Sequence, residues 1–332
     1  MQLKTNERKK FSWLKNYNFE ERNAFVFCYL MIGVPLIFFI VFWLYVNISS
    51  VYLGFVDVDG KFTLDYFGEV IKSLTKQDKY FGSGTLLDII GRSLLLWVLV
   101  DVGCVLPSML SSYVLYKKMP GAYVFRVIFM MPTILGNMVW VLIMKQMVNI
   151  TGGVNGPVID IFQQLGIVVK EEVFNSSGFL GYSGTAFTTI CILNVLPKVV
   201  GFNILITGAY ARIPNELFEV GKLDGHGFIR EFFTVSVPLV WPTIVVSMIS
   251  NLSTVFTFEG SVLLYTGGDA DTATLGFYLT KLTMDISIAA ELGGVTDYGY
   301  PAALGMLTTA ITIPTVLFGK YVLEKMVETV EY

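Results

Sequence analysis

The sequence predicts an all-α membrane protein with six spans. Of its 332 residues, 54% are hydrophobic and only 15% are charged, and the mean hydropathy is +0.64. Soluble globular domains are far less apolar. Six apolar runs are long enough to cross a bilayer, and most charged residues lie between these runs. No segment has the alternating pattern of a β-barrel strand, so helices are the predicted spanning structure.

The spans are predicted from apolar runs bounded by charges, glycine or proline. They fall at about residues 26–48, 89–116, 124–148, 186–207, 239–258 and 302–323. The third run is expected to break at Pro132 and Gly136. A basic leader before an apolar run can be a cleaved signal, but this run is about twice as long as a signal core and no cleavage pattern follows it. We therefore expect a retained first span.

Lysine and arginine are distributed unevenly between the two sides of these spans. Of the 23 basic residues, fourteen lie on the side of the N-terminus, six lie in the opposite loops and three fall within spans. The positive-inside rule then places both termini in the cytoplasm. The predicted organisation has a cytoplasmic segment (1–24), a six-span domain (25–325) and a cytoplasmic tail (326–332). Within the domain, three outward loops fall at about 49–88, 149–184 and 261–300, and a cytoplasmic hairpin falls at 212–238.

Composition disfavours several kinds of chemistry. All three cysteines lie in apolar runs, which predicts neither a disulfide framework nor a metal site, and a single histidine disfavours a histidine-based centre. The Gly-Lys pairs at 221–222 and 319–320 are followed by Leu223 and Tyr321, so neither forms a Walker sequence. We expect no enzyme activity, no bound cofactor and no metal in this chain. A net charge of −3 gives no indication of nucleic acid binding.

The predicted cytoplasmic hairpin is a charged segment broken by glycine. Pro214 suits the first turn of a helix, and Glu216 and Glu219 place negative charge near its positive end. Gly225 allows the positive φ that a sharp reversal needs. A second short helix is expected to follow and to close at Pro238. The apolar stripes of the two helices are Leu217, Val220 and Leu223, then Phe228, Phe232 and Val235.

The spacing of this hairpin resembles the Glu-Ala-Ala loop of permease subunits in binding-protein-dependent ABC importers. The family pattern is roughly E-A-A-x-x-D-G-A, a gap of fixed length, and I-x-L-P. The residues that carry it here are Glu219, Gly221, Asp224, Gly225, Val235, Val237 and Pro238. The departures are Val220 and Gly221 for two alanines, Val235 and Val237 for Ile and Leu, and His226 for alanine. For His226 we prefer a partly exposed loop position to a role in docking.

Weaker resemblances cover most of residues 24–325. Residues 126–133 resemble the third span of the family, and 264–272 resemble the segment after its fifth span, one residue shorter and without its proline. Residues 298–305 resemble the start of its last span, apart from Pro301. With a moderately long first outward loop, the chain looks most like the larger, maltose-permease-like member of a carbohydrate importer pair.

The resemblance implies the six-helix fold of a type I ABC importer permease with a cytoplasmic coupling helix. Glu219 would pair with a basic residue of an ATPase subunit, Gly225 would form the turn and Asp224 would anchor the helix end. Gly221 and Pro238 complete the implied coupling loop. The implied partners are a second permease, two ATPase subunits that use ATP and Mg, and an external solute-binding protein. The implied cargo is a carbohydrate, either an oligosaccharide or a glycan fragment, carried into the bacterial cytoplasm across the plasma membrane.

Polar side chains within the spans are candidates for a substrate path, because they are costly in lipid and usually face a cavity. The candidates are Asn137, Trp140, Asn194, Lys198 and Asn251, with Asp101, Asn203, Tyr210 and Trp241 as further polar or aromatic neighbours. Amide and indole groups suit the hydroxyls and ring faces of sugars. Hydrogen bonding between helices is the alternative for each residue. Lys198 and Asp101 are expected to pair either with each other or with the partner permease.

Two other functions stay open at this point. One is a secondary carrier driven by an ion gradient, which is disfavoured because the sequence has no strong internal repeat and no carboxylate relay within the membrane. The other is a membrane scaffold that transports nothing. Transport without ATP would establish the first, and neighbouring genes for a binding protein and a second permease would argue against the second.

Overall fold

The computed structural model describes residues 19–76, 85–118, 121–166, 171–223, 225–257, 260–291 and 297–326. Helices dominate these ranges. Five are long and apolar enough to cross a membrane, and we call them the first, second, fourth, fifth and sixth spans: Phe27–Leu53, Leu86–Tyr116, Ser183–Tyr210, Phe228–Ser253 and Gly299–Lys325. The third span is a pair of helices bent by 99°, Ala122–Pro132 with Asn137–Val148. The predicted all-helical membrane fold is confirmed.

The spans are built from helices, some of which are joined by short π-helical segments. The α-helices are α1 (Phe19–Phe38), α2 (Tyr45–Leu53), α3 (Asp65–Ser73), α4 (Leu86–Leu96), α5 (Val105–Tyr116), α6 (Ala122–Ile134), α7 (Asn137–Val148), α8 (Pro157–Gln164), α9 (Glu171–Asn175), α10 (Ser183–Tyr210), α11 (Asn215–Leu223), α12 (Phe228–Glu231), α13 (Val237–Ser253), α14 (Gly260–Tyr265), α15 (Leu275–Glu291) and α16 (Gly299–Met326). The π-helical segments are Phe39–Leu44, Trp97–Val102 and Phe232–Ser236. Most of the predicted segment 1–24, the tail after residue 326 and Asp224 lie outside the described residues.

The third span breaks where the sequence predicts. Pro132 lies inside the last turn of α6, and Gly136, with φ −58° and ψ 144°, precedes α7. Proline removes a backbone donor and crowds the preceding turn, so the helix ends two residues later. The extended conformation at Gly136 then turns the chain into a new direction.

The fifth span begins earlier than the sequence predicts. The second hairpin helix, α12, continues through the π-helical segment Phe232–Ser236 into α13 without a break, so the span starts at Phe228 rather than near residue 239. The prediction that Pro238 closes a separate helix was wrong. Pro238 lies two residues after the π-helical segment, inside this continuous helix. The hairpin is therefore continuous with a membrane span.

The buried residues of the described ranges form one large cluster, a smaller one at the end of the bundle away from the hairpin, which we call the outer cluster, and a group of three, Val262, Ala273 and Phe277. The large cluster joins the second, fourth and fifth spans to the hairpin through side chains such as Tyr113, Ile190 and Val240. The outer cluster packs α3 and α15 against the starts of the second and sixth spans. In contrast, the apolar window of the first span has no buried residue. That span presents its surface to lipid or to another chain.

Tyr66 on α3 links two loop segments through hydrogen bonds. Its hydroxyl donates to Asp297 at 2.8 Å and to Asp57 at 3.2 Å. These bonds connect the first outward loop to the segment before the sixth span. Burial, together with the two neighbouring carboxylates, raises the pKa of Tyr66.

Candidate functional site

The cytoplasmic hairpin consists of α11, a turn at Gly225, α12 and the π-helical segment. Gly225 has a φ of +73°, in the left-handed region that glycine adopts at no steric cost. The N–H of His226 donates to the carbonyl oxygen of Gly221 at 3.0 Å, which is the six-to-one bond of a Schellman helix end. A methyl group on Gly221 would lie 3.4 Å from Val235, so only a very small residue fits between the two arms. The positive φ predicted for Gly225 is confirmed.

The surface of the hairpin carries exposed acidic residues. Glu216 and Glu219 are both exposed, and neither forms an ion pair within the described ranges. His226 is half-buried, with its Nδ1 atom 3.4 Å from Thr234 Oγ1. The free carboxylate of Glu219 is thus available to a partner molecule, whereas His226 fills the inner side of the turn.

The predicted apolar stripe of α11 divides between two environments. Leu217 is half-buried, but Val220 and Leu223 are 55% and 86% exposed. The side chain that α11 buries against the bundle is Phe218, which is 5% exposed. The prediction of an apolar stripe was therefore partly wrong as a prediction of the buried face. The helix buries Phe218 instead and leaves Val220 and Leu223 exposed next to Glu219. Exposed apolar and acidic groups side by side are typical of a docking surface.

Six aromatic rings connect the hairpin to the bundle, and we call them the aromatic anchor: Tyr113, Tyr116, Tyr210, Phe218, Phe228 and Phe232. The ring of Tyr116 in the second span lies 5.2 Å from Phe218 and 5.2 Å from Tyr210 in the fourth span. Tyr113, one turn earlier, lies 5.1 Å from Phe228 at the start of the fifth span. Pairs at such spacing contribute about 0.5–1.5 kcal/mol each beyond the area they bury. The aromatic anchor therefore connects the hairpin to the second, fourth and fifth spans.

A buried ion pair reinforces this anchor. The Nζ atom of Lys117, just after the second span, lies 2.7 Å from Oε2 of Glu231 in α12. The Glu231 side chain is only 2% exposed, and Lys117 also sits 5.1 Å from the ring centre of Tyr113. A carboxylate at such burial is tolerated only when it is paired. Neither residue is among the sequence candidates; the one available signal was an acid inside an aromatic-rich helix.

A second polar group lies within the membrane spans, and we call Asp101, Lys198 and Asn251 the central polar cluster. The Nζ atom of Lys198 lies 2.6 Å from Oδ1 of Asp101 and 3.5 Å from Oδ1 of Asn251. Asp101 belongs to the π-helical segment Trp97–Val102, and such segments often mark functional sites. Of the two partners left open for Lys198, the structure has Asp101. The cluster joins the second, fourth and fifth spans, the same three that hold the aromatic anchor.

Two other polar candidates take part in bonding within the bundle. Asn194 is buried, and its Nδ2 donates to the carbonyl oxygen of Ile190 at 2.8 Å in the same helix. Asn203 donates from Nδ2 to Ser111 Oγ at 2.8 Å, which joins the fourth span to the second. The alternative of hydrogen bonding in the bundle accounts for Asn203.

The tryptophans differ in their use of the indole N–H. Trp241 donates from Nε1 to the carbonyl oxygen of Leu323 at 3.2 Å, which joins the fifth span to the sixth. Trp140 in α7 is buried, and its Nε1 has no hydrogen-bond partner among the described residues. Asn137, one turn before it, is exposed. Trp140 and Asn137 thus lie on the bent third span, apart from the central polar cluster.

Within the described ranges, no group of three or more His, Cys, Asp or Glu residues could hold a metal ion.

Comparisons with known proteins bear on the identity of this fold. No protein-family model matches the chain. The chain is 31% identical to the sulfoquinovosyl glycerol transport system permease protein SmoG of Agrobacterium fabrum over 153 residues, and this alignment covers 44% of the chain and 46% of SmoG. It is 28% identical to the maltose/maltodextrin transport system permease protein MalF of Escherichia coli over 214 residues, and this alignment covers 63% of the chain and 38% of MalF. The chain spans less than half the length of the curated relatives it matches.

Solved structures extend the likeness to almost the whole fold. A bacterial ABC transporter involved in the import of the acidic polysaccharide alginate matches with a TM-score of 0.74 over 93% of this chain and 98% of that one, at 16% identity. The same transporter with a periplasmic protein bound to alginate pentasaccharide matches with a TM-score of 0.73. The fold is that of an ABC importer permease. The resemblance to carbohydrate importer permeases, predicted from the Glu219 to Pro238 spacing, is confirmed.

Proposed function

We propose that this chain is the permease subunit of a binding-protein-dependent ABC importer for a carbohydrate. It would act beside a second permease, with two ATPase subunits in the cytoplasm and a solute-binding protein outside. ATP and Mg would be used by the ATPase subunits and not by this chain. The proposed cargo is an oligosaccharide or glycan fragment, since the similar proteins are named for maltodextrin, a sulfoquinovosyl glycerol and alginate.

The observation that carries the proposal is the free, exposed carboxylate of Glu219 on a hairpin that is itself rigidly anchored. The anchor combines the Phe218–Tyr116 ring contact with the Lys117–Glu231 ion pair. Free surface helices seldom have such support, since loops generally run over the surface with few buried contacts. A helix that must transmit force needs both an outer contact point and an inner attachment.

The geometry suggests how closure of an ATPase dimer would reach the substrate. The ATPase would grip α11 through Glu219 and the apolar edge of Val220 and Leu223. The aromatic anchor and the ion pair would pass the displacement to the second, fourth and fifth spans. Those spans also carry the central polar cluster, where Lys198 and Asn251 offer hydrogen bonds to sugar hydroxyls. Asn137, Trp140 and Asn194 remain further proposed residues of the path.

The proposed location is the bacterial plasma membrane, with both termini and the hairpin in the cytoplasm. The excess of lysine and arginine at the hairpin side supports this orientation. The three outward loops, including α3, α8, α9, α14 and α15, would then face the binding protein.

The test compares two acids on the same exposed helix. Glu219→Ala is expected to abolish most of the ligand-stimulated ATPase activity of the complete complex in liposomes, because losing one partner of an interfacial charge pair costs about 2–5 kcal/mol. Glu216→Ala is the matched control and is expected to retain that activity. A second comparison uses Gly225→Ala, which forces an alanine to φ +73°, against Gly227→Ala at φ −71°.

The same assay separates the competing functions. Full stimulation in Glu219→Ala would overturn the coupling role. Uptake that survives depletion of ATP would establish an ion-driven carrier, and a complete complex that transports no sugar would favour a scaffold.

A further inference from the structure

Two cavities adjoin where the third and fourth spans meet the hairpin. The outer one has a volume of about 600 Å³ and is lined by Lys118 and Arg126 together with residues of the coupling contacts described above, namely Tyr116, Lys117, Tyr210, Phe218 and Glu219. The inner one has a volume of about 270 Å³. The two share the lining residues Leu115, Arg126 and Thr207. They therefore form one groove, which we call the basic groove.

Three basic residues lie at the mouth of the groove, and two of them form no ion pair among the described residues. Lys117 is engaged by Glu231 at 2.7 Å. Lys118 and Arg126 are both exposed, and neither forms an ion pair within the part of the chain that the structure describes. Lys118 follows the second span and Arg126 lies in α6, and both line the outer cavity. These two cations outnumber the one carboxylate in the lining that has no ion pair, that of Glu219, so the cavity attracts an anion.

The interior of the groove is apolar and extends toward the membrane centre. It is lined by Phe129 and Met130 of α6 and by Val200 and Ile204 of the fourth span, with Asn203 between them. Between Thr207 at the mouth and Val200 the helix rises by about 10 Å. Ile204 is 48% exposed. A soluble anion would use only the mouth, and a cytoplasmic protein would not reach this depth.

We propose that the basic groove binds one anionic phospholipid of the cytoplasmic leaflet. Lys118 and Arg126 hold the phosphate headgroup, and an acyl chain lies along Phe129, Val200 and Ile204. Charge and depth favour this occupant, because basic pockets between helices on the cytoplasmic side suit anionic headgroups. The headgroup then sits beside α11, in contact with the surface that carries Glu219. The proposal rests on the proposed orientation and assembly, but lipid retention is measured without transport, so its failure is distinguishable from failure of the transport function.

The test measures lipid retention by the complete complex, purified in mild detergent and equilibrated with equal amounts of phosphatidylglycerol and phosphatidylcholine. Native mass spectrometry gives the ratio of the two lipids bound. Lys118→Gln with Arg126→Gln is expected to lower the preference for phosphatidylglycerol by roughly 25-fold, since each surface cation contributes about 1 kcal/mol. The matched control, Lys320→Gln with Lys325→Gln, removes the same charge from the cytoplasmic end of the sixth span and is expected to change little.

Two further arms identify the occupant. Ile204→Trp fills the inner cavity and is expected to reduce retention of phosphatidylglycerol while Lys118 and Arg126 stay in place. Soluble glycerol 3-phosphate is expected not to displace the lipid. The proposal is overturned if the wild-type complex retains both lipids equally, if both double variants lose the preference equally, or if Ile204→Trp retains phosphatidylglycerol as the wild type does. Displacement by glycerol 3-phosphate, or loss of the ATPase subunits instead of the lipid from the Lys118 and Arg126 variant, also overturns it.

Discussion

Two ion pairs among the described residues are buried, and they differ in their surroundings. At the cytoplasmic end, Glu231 is 2% exposed and is enclosed by the aromatic anchor, with Lys117 partly open to water. In the central polar cluster, Asp101 and Lys198 remain 11% and 27% exposed and have the amide of Asn251 beside them. The carboxylate of the first pair is sealed, whereas that of the second is more accessible.

This difference indicates different tasks for similar chemistry. A pair whose carboxylate is sealed among rings fixes the position of one element against another, because the buried carboxylate can find no substitute partner. An accessible pair with an adjacent amide can exchange a hydrogen bond for one to a passing hydroxyl group. We therefore interpret Lys117–Glu231 as a mechanical joint and the central polar cluster as part of the path. Both pairs adjoin π-helical segments, which allow a helix to change its local winding.

The largest expected effect comes from removing Lys117, the more exposed partner of the Lys117–Glu231 pair. Lys117→Met leaves the Glu231 carboxylate buried without a partner and is expected to cost about 3–5 kcal/mol of stability. Glu231→Gln is expected to cost about 1–2 kcal/mol, because the lysine can turn to water. Thermal unfolding of the purified complex measures both, with Lys325→Met as the control. Equal, small shifts in both variants would contradict the sealed joint.

An intermediate effect is expected at the accessible pair, in transport rather than in assembly. Lys198→Met removes hydrogen bonds from a charged donor, worth about 1.5–3 kcal/mol each, and is expected to slow sugar uptake roughly ten- to a hundredfold. The double variant Lys198→Met with Asp101→Leu replaces both charges and is expected to assemble normally. It should remain defective in uptake. Recovery of uptake in the double variant would mean that the pair only holds helices together.

The smallest effect separates two asparagines that the sequence treats alike. Asn251→Ala removes a group beside Lys198 and is expected to reduce uptake about two- to tenfold, as for one neutral hydrogen bond. Asn194→Ala is expected to have a weaker effect on uptake, because the Asn194 amide donates within its own helix. Uptake kinetics in proteoliposomes, normalised to assembled complex, measure both. A larger loss in Asn194→Ala would reverse their proposed roles.

The sequence by itself determined the fold class and the turn of the hairpin. Apolar runs must form helices in lipid, since no water is present there to satisfy the backbone. The break at Pro132 and Gly136 and the positive φ of Gly225 also follow from single residues, because proline and glycine act on the local backbone alone. The motif spacing then identified the class of permease to which the chain is similar.

The tertiary structure alone decided which charges meet and which faces are buried. Lys117 and Glu231 are 114 residues apart, and Asp101 and Lys198 are 97 apart, so no local pattern links them. Pro238 was expected to end a helix, but packing of α12 through α13 against the bundle kept the chain helical through it. Phe218 rather than the predicted stripe anchors α11, because the orientation of a short helix is set by its neighbours. Long-range packing, unlike backbone preference, depends on residues that become adjacent only when the spans assemble.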